Sequence, residues 1–378
     1  MLTLEQKQDF LTRGFSRRTL GRMAALLTAG AGLPFYNEAA LAQLSKIGRL
    51  LPGAVKINAN ENPLGPCAEA AVAIHNAVKD GGRYNYEEAD TLVSTFAELE
   101  VLREDHVMPF AGSSDPLHRA VLAFTSPTRG LVLADPSYEA GDRAARFVGA
   151  KVTSVPLRAD YSHDVRRMVQ ADPNAGVIYV CNPNNPTGSL TSRADIEYLL
   201  AHQPKGCLVL LDEAYIHLCD APACLDLAAA GKDIIVLRTF SKIYGMAGLR
   251  AGLAIGRPDL LEKLRGYGAG ALPLTAMVAA IASLKARHVV PQRRKIIRDN
   301  RENVFDFLSK RNFSFVPSVS NKFMLDVKRP GQEVIQALAA EKIYIGRVWS
   351  CWPTHVRVTV GTREEMDKFQ AALLKVMA

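Results

Sequence analysis

From about residue 105 to 255, short apolar runs alternate with longer stretches of helical character. The runs are Gly130-Leu131-Val132-Leu133-Ala134, Ala150-Lys151-Val152-Thr153-Ser154-Val155, Gly176-Val177-Ile178-Tyr179-Val180, Leu208-Val209-Leu210-Leu211 and Ile234-Ile235-Val236-Leu237. Near-continuous apolar character over so few residues predicts strands buried on both faces. Their alternation with helices predicts an α/β fold, a mostly parallel central sheet wrapped by helices. Ligands of such sheets bind at the carboxyl ends of the strands. Three polar motifs follow strands directly: Asn182-Pro183-Asn184-Asn185-Pro186-Thr187-Gly188, Asp212-Glu213-Ala214-Tyr215 and Thr239-Phe240-Ser241-Lys242.

Further on the pattern changes. Arg293 to Arg311 reads as a helix, while Phe323-Met324-Leu325-Asp326-Val327 and Val356-Arg357-Val358-Thr359-Val360 read as strands. This predicts a smaller α+β domain built from residues 286–378 and joined by 43–80, beside a large domain over 81–285.

Composition narrows the class without changing the picture. Of 378 residues, 48% are hydrophobic and 22% charged, with no repeat or low-complexity tract, so disordered and fibrous readings are excluded. The net charge of +8 is spread along the chain without an Arg/Lys block or interleaved aromatic stripe. That argues against nucleic acid and is compatible with anionic substrates. Six cysteines form no Cys-x-x-Cys pair and have no histidine at zinc-ligand spacing, so no metal site is expected. Cys219 and Cys224 could bridge in an oxidising compartment, though small buried thiols are the favoured reading.

The first 42 residues stand apart. Phe15-Ser16-Arg17-Arg18-Thr19-Leu20 precedes a mildly apolar run from Ala24 to Leu33, and Ala40-Leu41-Ala42 offers a small-x-small cleavage site before Gln43. The run is too short for a permanent span, which needs ~20 residues. The segment resembles a bacterial twin-arginine signal peptide. The resemblance implies export of the folded protein by the twin-arginine machinery to the periplasm. The alternative is a structural helix packed on the body or on a partner subunit of a cytoplasmic protein. No other stretch is a transmembrane candidate, and no stable membrane association is expected.

Ile57-Asn58-Ala59-Asn60-Glu61-Asn62-Pro63, the Asn-Pro-Thr-Gly turn, Asp-Glu-Ala-Tyr, and Ser241-Lys242-Ile243-Tyr244-Gly245-Met246-Ala247-Gly248-Leu249-Arg250 follow one another along the chain. In that order they resemble the fold-type I aminotransferases, which use pyridoxal 5′-phosphate, and within them the histidinol-phosphate aminotransferase-like branch. The match runs from about Ile57 to the C-terminus.

The resemblance implies a role for each residue. Lys242 carries the cofactor as a Schiff base and then serves as general base. Asp212 keeps the pyridine nitrogen protonated, and Tyr215 and Asn185 bond the ring's 3′ oxygen. Gly112-Ser113-Ser114 precedes a helical run and suits phosphate, with Ser241 and Arg250 completing the cradle. Here the sequence departs from the family, because the usual acidic pair is shifted to Ser114-Asp115 and leaves the hydroxyl donor open. Tyr138 stacks on the ring, and Tyr84 reaches the phosphate held by a neighbouring subunit, implying a homodimer. Arg357 reads the substrate α-carboxylate, Arg347 faces the distal end of the substrate, and Asn60 lines the pocket.

The expected activity is amino-group transfer between an L-amino acid and a 2-oxo acid. A decarboxylase or oxidase on the same scaffold is the nearest alternative, since fold does not fix reaction type. A non-catalytic binding protein is disfavoured by the intact residue set. The sequence does not name the substrate.

Overall fold

The computed structural model describes residues 4–19, 21, 51–268 and 272–378. The apolar run after Arg22 and the Ala42 cleavage site lie outside the described residues. Seven strands form the central sheet: β2 (Val107–Phe110), β3 (Gly130–Asp135), β4 (Val152–Pro156), β5 (Ala175–Cys181), β6 (Leu208–Asp212), β7 (Ile234–Thr239) and β8 (Gly252–Gly256), in the spatial order β2-β8-β7-β6-β5-β3-β4. The five strands read from the sequence are the five parallel ones. Their side chains along β5, β6 and β7 are buried throughout, which is why they lack polar alternation.

The sequence reading did not single out β2 and β8, which pair antiparallel with one another while β8 pairs antiparallel with β7. Gly252-Leu253-Ala254-Ile255-Gly256 has glycine at both ends and little β-branching. Pro109 is tolerated in β2 because that strand is the sheet edge.

Three further strands, β9 (Ser314–Val316), β10 (Lys322–Asp326) and β12 (His355–Thr359), make an antiparallel sheet in the order β12-β10-β9. β1 (Val55–Ile57) pairs parallel with β11 (Ile343–Ile345), carrying the Asn58–Asn62 segment toward the central sheet. The long helix Val289–Ser309 and the terminal helix Arg363–Met377 flank these strands. The terminal helix starts with a capping box in which Thr362 and Glu365 satisfy each other's backbone N–H groups.

Residues 4–19 lie against the body. The helix Leu4–Thr12 is followed by Arg13, whose guanidinium donates to the carbonyls of Leu122, Ala123 and Thr125 and to the Tyr267 hydroxyl. Those carbonyls sit at the C-terminal end of the helix Ser114–Phe124, where a cation is favoured. Phe15 is buried at 2% exposure, whereas Arg17 and Arg18 are exposed.

Candidate active site

The ends of β5, β6 and β7 bring together the three motifs. Register pairs Cys181 with Asp212 and Asp212 with Leu237, so Asn185, Asp212 and Lys242 all emerge on one side. They open into a cavity of about 300 Å³ whose lining includes Ser113, Ser114, Tyr138, Asn185, Asp212, Tyr215, Ser241, Lys242 and Arg250. Nine of the thirteen residues singled out from sequence therefore share one cavity, although they come from five separate stretches of chain.

Asp212 is the electrostatic centre. Burial pushes its carboxyl up to about 6, against the opposing pull of the Tyr179 hydroxyl, the Ala214 N–H, Lys242 and Lys322. Tyr179 Oη donates to Oδ2 at 3.0 Å and Ala214 N donates to Oδ1 at 3.1 Å. A buried carboxylate in this state is stabilised by a cation brought alongside it. Its neighbour Cys181 is held as the neutral thiol, because burial pushes its pKa far up.

Lys242 Nζ donates to the Asn60 carbonyl at 3.0 Å and lies 5.5 Å from the Tyr215 ring centroid. Asn60, in the left-handed region with φ 53°, ties the site together: its Nδ2 donates to Tyr215 Oη at 3.2 Å and Asn185 Oδ1 at 3.4 Å. Its backbone N–H donates to Thr359 Oγ1 at 2.9 Å. Asn60 is thus wholly buried in a polar cluster, and its sequence neighbours Ala59 and Glu61 line the cavity.

The anion cradle forms where the helix Ser114–Phe124 begins. Ser113 and Ser114 present the helix N-terminus. Arg250 Nη1 donates to Ser241 Oγ at 3.3 Å and to the Ala247 carbonyl at 2.9 Å. Gly112 has φ +87° and packs against this guanidinium so closely that a Cβ would collide with it. Arg357 is fully buried on β12; it donates from Nη1 to Asn185 Oδ1 at 2.9 Å and from Nη2 to the Asn58 carbonyl at 2.8 Å. Tyr84, by contrast, is 73% exposed and stacks on Tyr86 away from the cavity.

Sequence reasoning missed Tyr179, Lys322, Glu139 and Trp349. Lys322 is completely buried on β10, donates to Ser320 Oγ at 2.7 Å and places Nζ 3.2 Å from the Tyr215 ring centroid. A lysine beginning an otherwise apolar strand is the only signal it offers. Glu139 pairs with Arg347 and Trp349 stacks on the same guanidinium. Asp-Glu-Ala-Tyr also divides: Glu213 turns away from the cavity and forms a buried ion pair with Arg238 at 3.2 Å.

These residues fit pyridoxal phosphate. A helix N-terminus with Ser241 and Arg250 suits a phosphate, the raised Asp212 carboxyl suits a pyridinium, Tyr215 and Asn185 suit a phenolic oxygen, and Lys242 is the buried amine beside them.

The model of the family "aminotransferase class I and II" matches residues 52–373. A histidinol-phosphate aminotransferase of Moorella thermoacetica is 32% identical over 338 residues, covering 86% of both chains. An aromatic amino acid aminotransferase of Nocardia farcinica is 34% identical, covering 85% of this chain and 91% of its own. The crystal structure of histidinol-phosphate aminotransferase from Sinorhizobium meliloti in complex with pyridoxal-5′-phosphate superposes with a TM-score of 0.82 at 24% identity, covering 92% of this chain and 95% of that one, a likeness of fold. With most of its length matched by the family model and by relatives above 30% identity, the chain belongs to the class I and II aminotransferases and is a pyridoxal-phosphate-dependent transaminase.

Proposed function

We propose that this protein moves an amino group between an L-amino acid and a 2-oxo acid at the cavity above β5, β6 and β7, with Lys242 as its proton carrier. The carrying observation is that buried Lys242 and Arg357 are linked through Asn60 and Asn185 within hydrogen-bond distances, with buried Asp212 lining the same cavity as Lys242. When bound, pyridoxal phosphate supplies an electron sink conjugated to the substrate Cα. Ser113, Ser114, Ser241 and Arg250 would hold its phosphate, Asp212 its ring nitrogen, Tyr215 and Asn185 its 3′ oxygen, and Tyr138 its ring face.

The chain's own groups then divide the work. Arg357 orients the substrate through its α-carboxylate, which its planar fork matches. Lys242 Nζ takes the proton from Cα and returns it, and its hydrogen bond to the Asn60 carbonyl helps to position the amine. With the cofactor bound, the Asp212 charge would favour a proton on the ring nitrogen.

Borohydride treatment of the yellow holoprotein followed by peptide mapping should place the cofactor on Lys242, and Lys242→Ala should neither retain it covalently nor transfer amino groups. Turnover of a panel of amino acids with 2-oxo acids separates this reading from a decarboxylase, which releases carbon dioxide, and from an oxidase, which consumes oxygen.

The same reading extends to assembly and location. The exposed, stacked Tyr84 and Tyr86 suit a neighbouring subunit's phosphate site, which makes the working unit a homodimer. Exposed Arg17 and Arg18 beside the anchored Arg13 and Phe15 suit a twin-arginine address presented on a folded body, hence periplasmic delivery. The Arg13 contacts equally suit a retained structural helix in a cytoplasmic protein. Cell fractionation with mass measurement of the N-terminus decides between them.

A further inference from the structure

Arg347 is not simply presented to a substrate. Its side chain is only 7% exposed, and Nη2 meets Glu139 Oε2 at 2.7 Å. Its Cζ lies 4.0 Å from the indole centroid of Trp349, and the same indole lies 5.5 Å from Cζ of Arg357. Both arginines thus lie near one aromatic ring, and Arg357 also bonds Asn185.

The Glu139 carboxylate reaches Arg347 because the backbone delivers it there. Trp349 Nε1 donates to the Ser137 carbonyl at 3.2 Å, and Cys351 Sγ donates to Asp135 Oδ1 at 3.2 Å. Residues 135–139 and 347–351 are therefore clamped side by side. Glu139 directly follows Tyr138, which lines the cavity, and precedes the helix Ala140–Phe147.

We propose that Glu139 is a specificity-determining residue: by occupying Arg347 it leaves the distal end of the substrate pocket electrically neutral. The enzyme then takes amino acids with uncharged, apolar or aromatic side chains and rejects dicarboxylic or phosphorylated ones. A second substrate anion would have to displace Glu139 from a largely desolvated guanidinium or sit beside a like charge, and both are unfavourable. An uncharged side chain meets Tyr138, which lines the cavity, without that conflict. The inference rests on Arg357 as the α-carboxylate site, as proposed above.

Calorimetric titration of the holoprotein with two unreactive carboxylates, glutarate and 3-phenylpropanoate, tests this without turnover. The wild type should bind 3-phenylpropanoate on the order of tenfold tighter or more, and Glu139→Gln should move the ratio of the two Kd values by about tenfold toward glutarate. Adding Arg347→Ala to Glu139→Gln should cancel that shift, because the gain comes from the released guanidinium. A wild type that prefers glutarate, or a ratio that Glu139→Gln and Glu139→Ala both leave in place, would overturn the proposal. Failure to transfer amino groups from any amino acid, with the ratio still shifting, would instead count against the proposed reaction.

Discussion

Tyr179 donates a hydrogen bond to Asp212 across two adjacent parallel strands at 3.0 Å, and both side chains are buried. The phenol and the carboxylate form one unit in which the neighbour that stabilises the charge is also sealed from water. Burial nonetheless dominates, leaving the Asp212 carboxyl at about 6 rather than near its ordinary 3.8.

That imbalance gives a stability prediction with a definite sign. A carboxyl whose pKa is raised on folding weakens the fold once it ionises; the effect is absent below about 3.8 and complete above about 6. Asp212→Asn should therefore raise the thermal stability of the cofactor-free protein at pH 8 by ~1–3 kcal/mol and lose that advantage as pH falls through this window. The same variant should turn over poorly, since an amide holds no proton on the ring nitrogen. Tyr179→Phe should move the transition to higher pH, and thermal melts across pH measure both. An Asp212→Asn protein less stable than wild type at pH 8 would contradict the assignment.

The Glu213 carboxyl is pushed up by burial as well, but its replacement should destabilise the fold, because that would leave a buried cationic partner behind. It lies 3.2 Å from Arg238 with neither side chain more than 4% exposed, and its Oε1 accepts from the Cys224 N–H at 2.8 Å. Arg238 also meets His217 at 3.1 Å, whose ring stays neutral because burial and the two nearby arginines push its pKa well down. Glu213→Gln leaves a buried guanidinium without its counter-charge and should cost ~3 kcal/mol or more at neutral pH, seen by denaturant unfolding. The cofactor spectrum of whatever folded protein remains should be that of the wild type.

Arg357→Ala should depress kcat/KM for every amino acid tested, by ~2 kcal/mol or more, because all substrates share the α-carboxylate. Loss of orientation at Cα should lower kcat as well as raise KM. The wild-type Asn185 and Asn58 contacts vanish in the same variant, so Arg357→Lys is the useful companion. It keeps the charge and loses the fork, and it should recover only part of the activity. Undiminished turnover in Arg357→Ala would remove it from the site.

Arg13 makes three carbonyl contacts at the end of the helix Ser114–Phe124, whose other end is the anion cradle. Arg13→Ala should weaken docking of residues 4–19 by ~1–2 kcal/mol and make the segment a preferred site of limited proteolysis. Arg17→Lys with Arg18→Lys should leave docking intact, because neither is buried. If export follows the twin-arginine route, only the second change should hold the protein in the cytoplasm.

Much of the site was legible in sequence because its chemistry sits where local pattern is strongest. Asp212, Asn185 and Lys242 each follow an apolar run that has to be a buried strand, and strand ends of a parallel sheet converge on one side. Each of these residues could thus be placed without knowing what faces it. The antiparallel β2 and β8 escaped because glycine and proline blur a strand's signature, and pairing with its neighbours β2 and β7 is what makes β8 a strand.

Tertiary structure alone decided the partnerships. Asn60 bridging Tyr215 and Asn185, Lys322 beneath the Tyr215 ring, Glu139 on Arg347 and Glu213 on Arg238 join segments far apart in the chain. Periodicity along a strand or helix dictates which face a side chain occupies, but which residue from another element meets it follows from how the elements pack. Arg347 makes the difference concrete. By itself it reads as an anion site, whereas the fold sets a carboxylate against it and leaves the pair neutral, because two clamped loops bring Glu139 within 2.7 Å.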